Sequence, residues 1–182
     1  YFDGTSGHTY IDEESDNLLR INVGATEVMK LDADSKVSLS NNDAGTNNTI
    51  LGKNAGFAIA SGGNHNVFLG ERTGYANKLG VNNIAIGSGA FDDSYIDDTQ
   101  DTLTDNNILI GKDAGNGTWA IGASYENTII GANAFKGACN AAIYNVGIGS
   151  GALQDAVSAN GIVAVGRNAA QHLTSGIGNT AI

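Results

Sequence analysis

The 182-residue sequence has no proline, one cysteine, one methionine and one tryptophan. The absence of proline, beside abundant glycine, points towards many short strands joined by glycine turns. A single cysteine, Cys139, excludes an intrachain disulfide framework, and the scattered His8, His65 and His172 lack the spacing of a Cys/His metal site. Basic residues are scarce: nine Lys and Arg stand against nineteen Asp and Glu, a formal net charge of -10. A surface of that sign repels phosphate backbones, and no basic cluster overrides it, so nucleic acid is not an expected partner. No apolar run approaches the roughly 20 residues of a membrane-crossing helix. No charged-then-apolar leader opens the chain either, and membrane insertion is not expected. The first residue is Tyr1 rather than methionine, which reads as part of a longer or processed product. Sustained 3.6-residue periodicity is missing too, which argues against helix bundles.

What the sequence does have is glycine, 26 residues of it, set in a recurring phrase. "NNTILGKNAG" at 47–56 returns as "HNVFLGERTG", "NNILIGKDAG" and "ENTIIGANAF". Aligned on the glycine that closes each short aliphatic run, the anchors are Gly52, Gly70, Gly87, Gly111, Gly131, Gly149 and Gly166, with gaps of 18, 17, 24, 20, 18 and 17 residues. Four residues earlier stands Asn48, Asn66, Asn83, Asn107, Asn127 or Asn145, with Ile162 as the exception, and Asn179 opens an eighth copy. Three residues after the glycine a small side chain recurs, from Ala55 to Ala169, which suggests a tight corner. Such regular self-similarity is the signature of a repeat architecture.

Within each copy the pairs Thr49/Leu51, Val67/Leu69, Ile84/Ile86, Ile108/Ile110, Thr128/Ile130, Val146/Ile148 and Val163/Val165 share one face of a strand. The residue between them is also mostly apolar, so both faces call for burial. The expected fold is all-β: a β-roll or β-solenoid of about eight coils of 17–24 residues, each coil with two short strands and two turns. Asparagine side chains are expected to ladder from coil to coil. The flanking pair is expected inside the coil. The middle residue, typified by Ile50, is expected to face other chains, most economically in a homotrimer.

The phrase N-x-h-x-h-G-x-x-A, as in "NNIAIGSGA" and "YNVGIGSGA", resembles the left-handed parallel β-roll repeat of trimeric autotransporter adhesin heads and of related bacteriophage tail fibres. The resemblance covers about residues 47–182. Its longer, uneven coils look more like the phage fibres. The opening "TYIDEESDNLLRINVGATEVMKLDADSKVSLS" resembles β-meander modules of phage tail fibre proteins. Leu19, Ile21 and Val23 alternate, Val23 to Thr26 turns, Met29 and Leu31 continue the next strand, and Val37 and Leu39 make a further one. The organisation expected is a β-meander over 1–40, a linker or cap over 41–47 and a repeat domain over 48–182.

What the resemblance implies is a structural, adhesive fibre segment in a virion, a homotrimer that meets other fibre or baseplate proteins and a host-surface glycan or outer-surface protein. A bacterial adhesin head, on the cell surface, is the alternative. Insertions in a solenoid emerge as loops, so the longest coils are the expected site. The 24-residue interval carries "DDSYIDDTQDTLTD" at 92–105, with Tyr95, Asp97 and Asp98, and the next interval carries Trp119 and Tyr125. Acids accept sugar hydroxyls and rings stack on sugar faces, which makes these five residues the candidate ligand site. A structural Ca²⁺ on the acidic loop is a second option, although its spacing does not match an EF-hand; no other cofactor is expected. Polysaccharide depolymerase activity would need Asp97 or Asp98 as acid or base at a fixed separation, and no positioned partner is visible, so catalysis is not expected. The glycine turns lack the G-K-[ST] ending of a phosphate loop.

Overall fold

The computed structural model describes four strands between residues 10 and 39, and then residues 45–92, 104–119, 124–138 and 141–182. Every strand or bridge in the described residues is β, with no helix among them. Two compact units divide the chain into Tyr1–Asn41 and Asn42–Ile182.

The first unit is an antiparallel four-stranded sheet in sequence order: β1 (Tyr10–Glu13), β2 (Leu19–Val23), β3 (Thr26–Leu31) and β4 (Val37–Leu39). The register sets Leu19 opposite Leu31, Ile21 opposite Met29, and Leu31 opposite Val37, so the alternating apolar positions fall into line across three strands. A register shift between Ile21 and Asn22 marks a bulge in β2. The pairing of β1 with β2, Ile11 opposite Ile21, adds a strand that the apolar alternation did not single out.

The second unit is a parallel β-solenoid. β5 (Thr49–Leu51), β6 (Val67–Leu69), β7 (Ile84–Ile86), β8 (Ile108–Ile110), β9 (Thr128–Ile130), β10 (Val146–Ile148), β12 (Val163–Val165) and β14 (Thr180–Ala181) stack in chain order in one sheet. Register never slips: Thr49, Val67, Ile84, Ile108, Thr128, Val146, Val163 and Thr180 are successive partners, even across the 24-residue and 20-residue coils. Among the described residues a second parallel sheet, β11 (Ser158–Asn160) with β13 (Ser175–Ile177), forms in the last coils, and a parallel bridge joins Ile143 to Asn160. In the described parts of the other coils the expected second strand is not formed, its place being taken by turns, bends and irregular backbone.

Each anchor glycine has φ between 128° and 145°, a region closed to side-chain-bearing residues. The glycines also lie on one another: a Cβ on Gly111 would come within 2.6 Å of the carbonyl carbon and oxygen of Gly131. Glycine is therefore required twice over, for its dihedral and for the close approach of the next coil.

Asparagine supplies the second coil-to-coil device. Its side chain is not at the surface of a corner but buried. The Oδ1 of Asn83 accepts the backbone N–H of Asn107 at 3.0 Å, while its Nδ2 donates to the carbonyl of Thr104 at 2.6 Å. Those two backbone groups are three residues apart across a turn of the following coil, whose left-handed residue is Asn106. The same bidentate bridge runs from Asn48 to Gly63 and Asn66, and from Asn145 to Ala159 and Ile162. Each amide thus closes the next coil's turn, and adjacent amides also bond directly, as Asn127 Nδ2 does to Asn107 Oδ1 at 3.0 Å. Ile162 has no amide, yet its N–H still takes the last bridge.

The faces of the main sheet are the reverse of those expected. Phe68, Ala85, Leu109, Ile129 and Ala164, the middle residues, are fully buried in one continuous core, whereas the flanking pairs face outward. The reason is a trade of volume with the residue six positions later. Phe68 and Leu109 fill the space left by Gly74 and Gly115, where a Cβ would collide with those side chains. In other coils the sizes are exchanged: Ala85 with Phe91, and Gly147 with Leu153. Phe91, Phe135 and Leu153 hold positive φ to point inward, at a cost of about 1 to 3 kcal/mol each that their burial offsets.

Replacement of Asn107 by alanine strips partners from the Asn127 N–H and the Ser124 carbonyl, both buried. At about 1 to 3 kcal/mol per orphaned group, a loss of roughly 2 to 6 kcal/mol is expected in denaturant unfolding. A loss below about 1 kcal/mol would mean that the amide column does not hold the coils.

Candidate functional site

The sequence-derived ligand residues do not assemble as expected. Tyr95, Asp97 and Asp98 lie outside the described residues. Trp119 is a correction: it is fully buried, so its ring is unavailable to a ligand. Its indole N–H donates to the Gly115 carbonyl at 2.8 Å, and it meets Phe91 and Phe135 edge-on with centroids 5.0 and 5.9 Å away. It is the middle member of an aromatic stack through three coils, and that core role accounts for the only tryptophan. Tyr125 is half-buried and meets the exposed Tyr144 edge-on at 5.7 Å. Tyr125, and then Glu126, push the Tyr144 phenol above its ordinary value.

The described ends of the acidic segment are tied to the coil before it. Asp92 forms a two-pronged pair with Arg72, Nε and Nη2 donating at 2.9 and 3.1 Å, and this pairing raises the guanidinium further. The segment thus has a base after all, supplied by the preceding coil. Asp105 accepts the Val81 N–H at 2.7 Å. Two asparagines at the same phase do the same in other coils: Asn64 accepts from Thr46, and Asn160 from Ile143. His65 is an exposed turn residue with φ of 59°. Among the described residues no group of His, Cys, Asp or Glu is arranged to hold a metal, and no helix is long and apolar enough to cross a membrane.

Two surfaces stand out instead. The first is the outward face of the main sheet. Leu51, Leu69, Ile86, Ile110, Ile130, Ile148 and Val165 form one column, and Val67, Ile84, Ile108, Val146 and Val163, with Thr49 and Thr128, the other. Leu51 remains 55 % exposed and Ile148 38 %. The sequence signal for this face was present in the pairs themselves; only their direction was misread.

The second surface is a stack of planar groups in the first two coils. Phe57 lies on Tyr75 with centroids 5.0 Å apart and planes 6° from parallel, and the Arg72 guanidinium sits 4.2 Å from the Tyr75 ring centroid. Asp92 fixes that guanidinium from the following coil. Counting five residues beyond each anchor glycine places Phe57, Tyr75 and Asp92 in one column, a signal that the search for long loops passed over.

Comparison with protein-family models, curated proteins and solved structures gave no match.

Burial raises the Asp105 carboxyl above its ordinary value, against the opposing hydrogen bond from Val81. Its contribution is therefore favourable at low pH, where the acid is neutral in both states, and is lost as pH rises through the raised folded-state value. Asp105→Asn reproduces Asn64 and Asn160 and removes that penalty. A gain of roughly 0.5 kcal/mol is expected at pH 7, small because a half-exposed carboxylate is screened by solvent. The gain vanishes near about pH 3, where Asp105 is itself neutral. Thermal melts at both pH values check this, and a less stable variant at pH 7 would contradict it.

Proposed function

We propose that the chain is a structural and adhesive segment of a trimeric fibre of the phage tail-fibre type, carried on a virion and used to hold a host surface. The observation that carries the reading is the aliphatic face of the solenoid, interrupted only by threonine and free of charge along two columns. A soluble rod leaves such a face uncovered only where a partner covers it. A copy of the same chain fits best, because its coils repeat at the same spacing of about 4.8 Å and its ridges keep step with these along the rod. Three copies around an axis cover one such face each, with the flanking pairs, rather than the middle residues, turned to the axis.

The scale is adequate. If partners removed roughly 50 Å² from each of the twelve aliphatic side chains in the two columns, about 600 Å² per chain would leave water, a gross gain near 15 kcal/mol. That approaches the ~800 Å² per partner of a stable interface. About eight coils would make a rod near 38 Å long that presents its side surfaces in three copies, so weak glycan contacts gain from avidity. The uneven coils of 17 to 24 residues favour the phage-type fibre over the adhesin head, whose repeats are shorter and more uniform.

Sedimentation equilibrium is expected to give three times the 18.6 kDa chain mass. Ile86→Lys together with Ile110→Lys places charges on the covered face and is expected to yield monomers that keep the β circular dichroism, since both side chains point away from the core. A wild-type monomer, or a trimer indifferent to the two lysines, would sink the proposed packing.

A further inference from the structure

The column that carries Phe57 and Tyr75 carries Asn116, Lys136, Gln154 and Gln171 in later coils. The fold accepts polar side chains at this phase, so it does not need two aromatic rings there. Yet Phe57 is 65 % exposed, the most solvent-accessible aromatic among the described residues. Leaving most of a phenyl ring in water forgoes the gain that its burial would yield. A surface of this kind calls for a ligand that uses it.

We propose that Phe57, Tyr75 and Arg72 form a binding site for a neutral pyranose at the end of a surface glycan. The proposal rests on the adhesive reading and moves its ligand contact away from Trp119. Three features support the assignment. The rings are held one above the other by the coil register, with the Ala58 N–H on the Tyr75 carbonyl at 2.9 Å and the Ala76 N–H on the Asp92 carbonyl at 3.1 Å. Little ordering is then left to do on binding. A flat apolar ring with an exposed face matches the C–H face of a pyranose.

Arg72 supplies the polar half. Of its five N–H donors, two are spent on Asp92, and the side chain, which lies over the Tyr75 ring, is 47 % exposed. Its unspent donors suit the hydroxyl oxygens of a glycan. Because Asp92 already neutralises the guanidinium, and the chain as a whole is at -10, an uncharged sugar fits better than an acidic one. Nucleobases also stack on aromatic rings, but a nucleic acid brings phosphates that this charge repels.

The test uses the full chain in its native oligomeric state on an immobilised panel of neutral glycans ending in glucose, galactose or N-acetylglucosamine, beside acidic glycans and a peptide library. Wild type is expected to bind at least one neutral glycan. Phe57→Ala with Tyr75→Ala is expected to weaken that binding about tenfold or more, and Phe57→Tyr, which keeps a ring for stacking, to stay within about threefold. Circular dichroism and sedimentation of each variant confirm that fold and assembly persist. Glycan binding that survives the double alanine variant overturns this site and leaves the adhesive reading standing. Failure of wild type to bind any glycan overturns both. Binding confined to acidic glycans, or peptide binding that the same substitutions abolish, overturns the assignment of a neutral sugar.

Discussion

Everything in the solenoid depends on each coil being locked onto the next at the asparagine, because a coil of about 18 residues buries too little by itself to offset the ordering of its backbone. Strand ladders between coils are only three residues long, too short to fix a turn. The buried amide does what the ladder cannot. It bridges an N–H and a carbonyl across the following turn, so the shape of one coil is dictated by a side chain of the coil before it. The glycine column acts from the other side, since its carbonyls approach so closely that no side chain fits between coils. Together they fix the strand register, and the extra residues of the long coils cannot disturb it.

With stacking fixed, the interior is filled by local exchange of volume. A large middle residue is followed six positions later by glycine, as in Phe68 and Gly74, and a small one by a large residue, as in Ala85 and Phe91. Where both are large, as with Ile129 and Phe135, the neighbouring coils adjust: Gly147 follows Ile129 in the sheet, and a Cβ there would lie 3.2 Å from the Ile129 Cδ1. Packing is therefore solved coil by coil rather than by one shared pattern. Trp119 belongs to this interior, bridging Phe91 and Phe135 along the axis.

Much of the architecture was readable from the sequence. The anchor glycines, the strand positions and the asparagine column follow from spacing alone, because those roles demand one residue type at one phase. The direction of each strand face did not follow from alternation, since both faces are apolar. It was nevertheless written in the chain: the middle position varies from glycine to phenylalanine, and only an interior with a compensating neighbour six residues away accommodates such swings. Ile, Leu and Val at nearly all flanking positions, with Thr49 and Thr128 as departures, mark a regular surface instead. Trp119 was misplaced for a related reason. A tryptophan in a lengthened coil resembles an exposed loop residue until the phenylalanines above and below it are brought to the same height.

The same contrast between uniform and interrupted columns separates architecture from recognition. Columns that repeat with little change, the glycines, the asparagines and the outward aliphatics, belong to the stacked architecture. A column that carries aromatic rings in two coils and amides or lysine thereafter is not set by stacking, because the coils beyond are built equally well without them. Phe57 and Tyr75 are such a departure, and the two-pronged contact of Arg72 with Asp92 spends hydrogen bonds on holding a guanidinium beside a ring that the core does not use. In a molecule whose repeats leave so little freedom, side chains that the repeat does not require are the ones free to answer to a ligand.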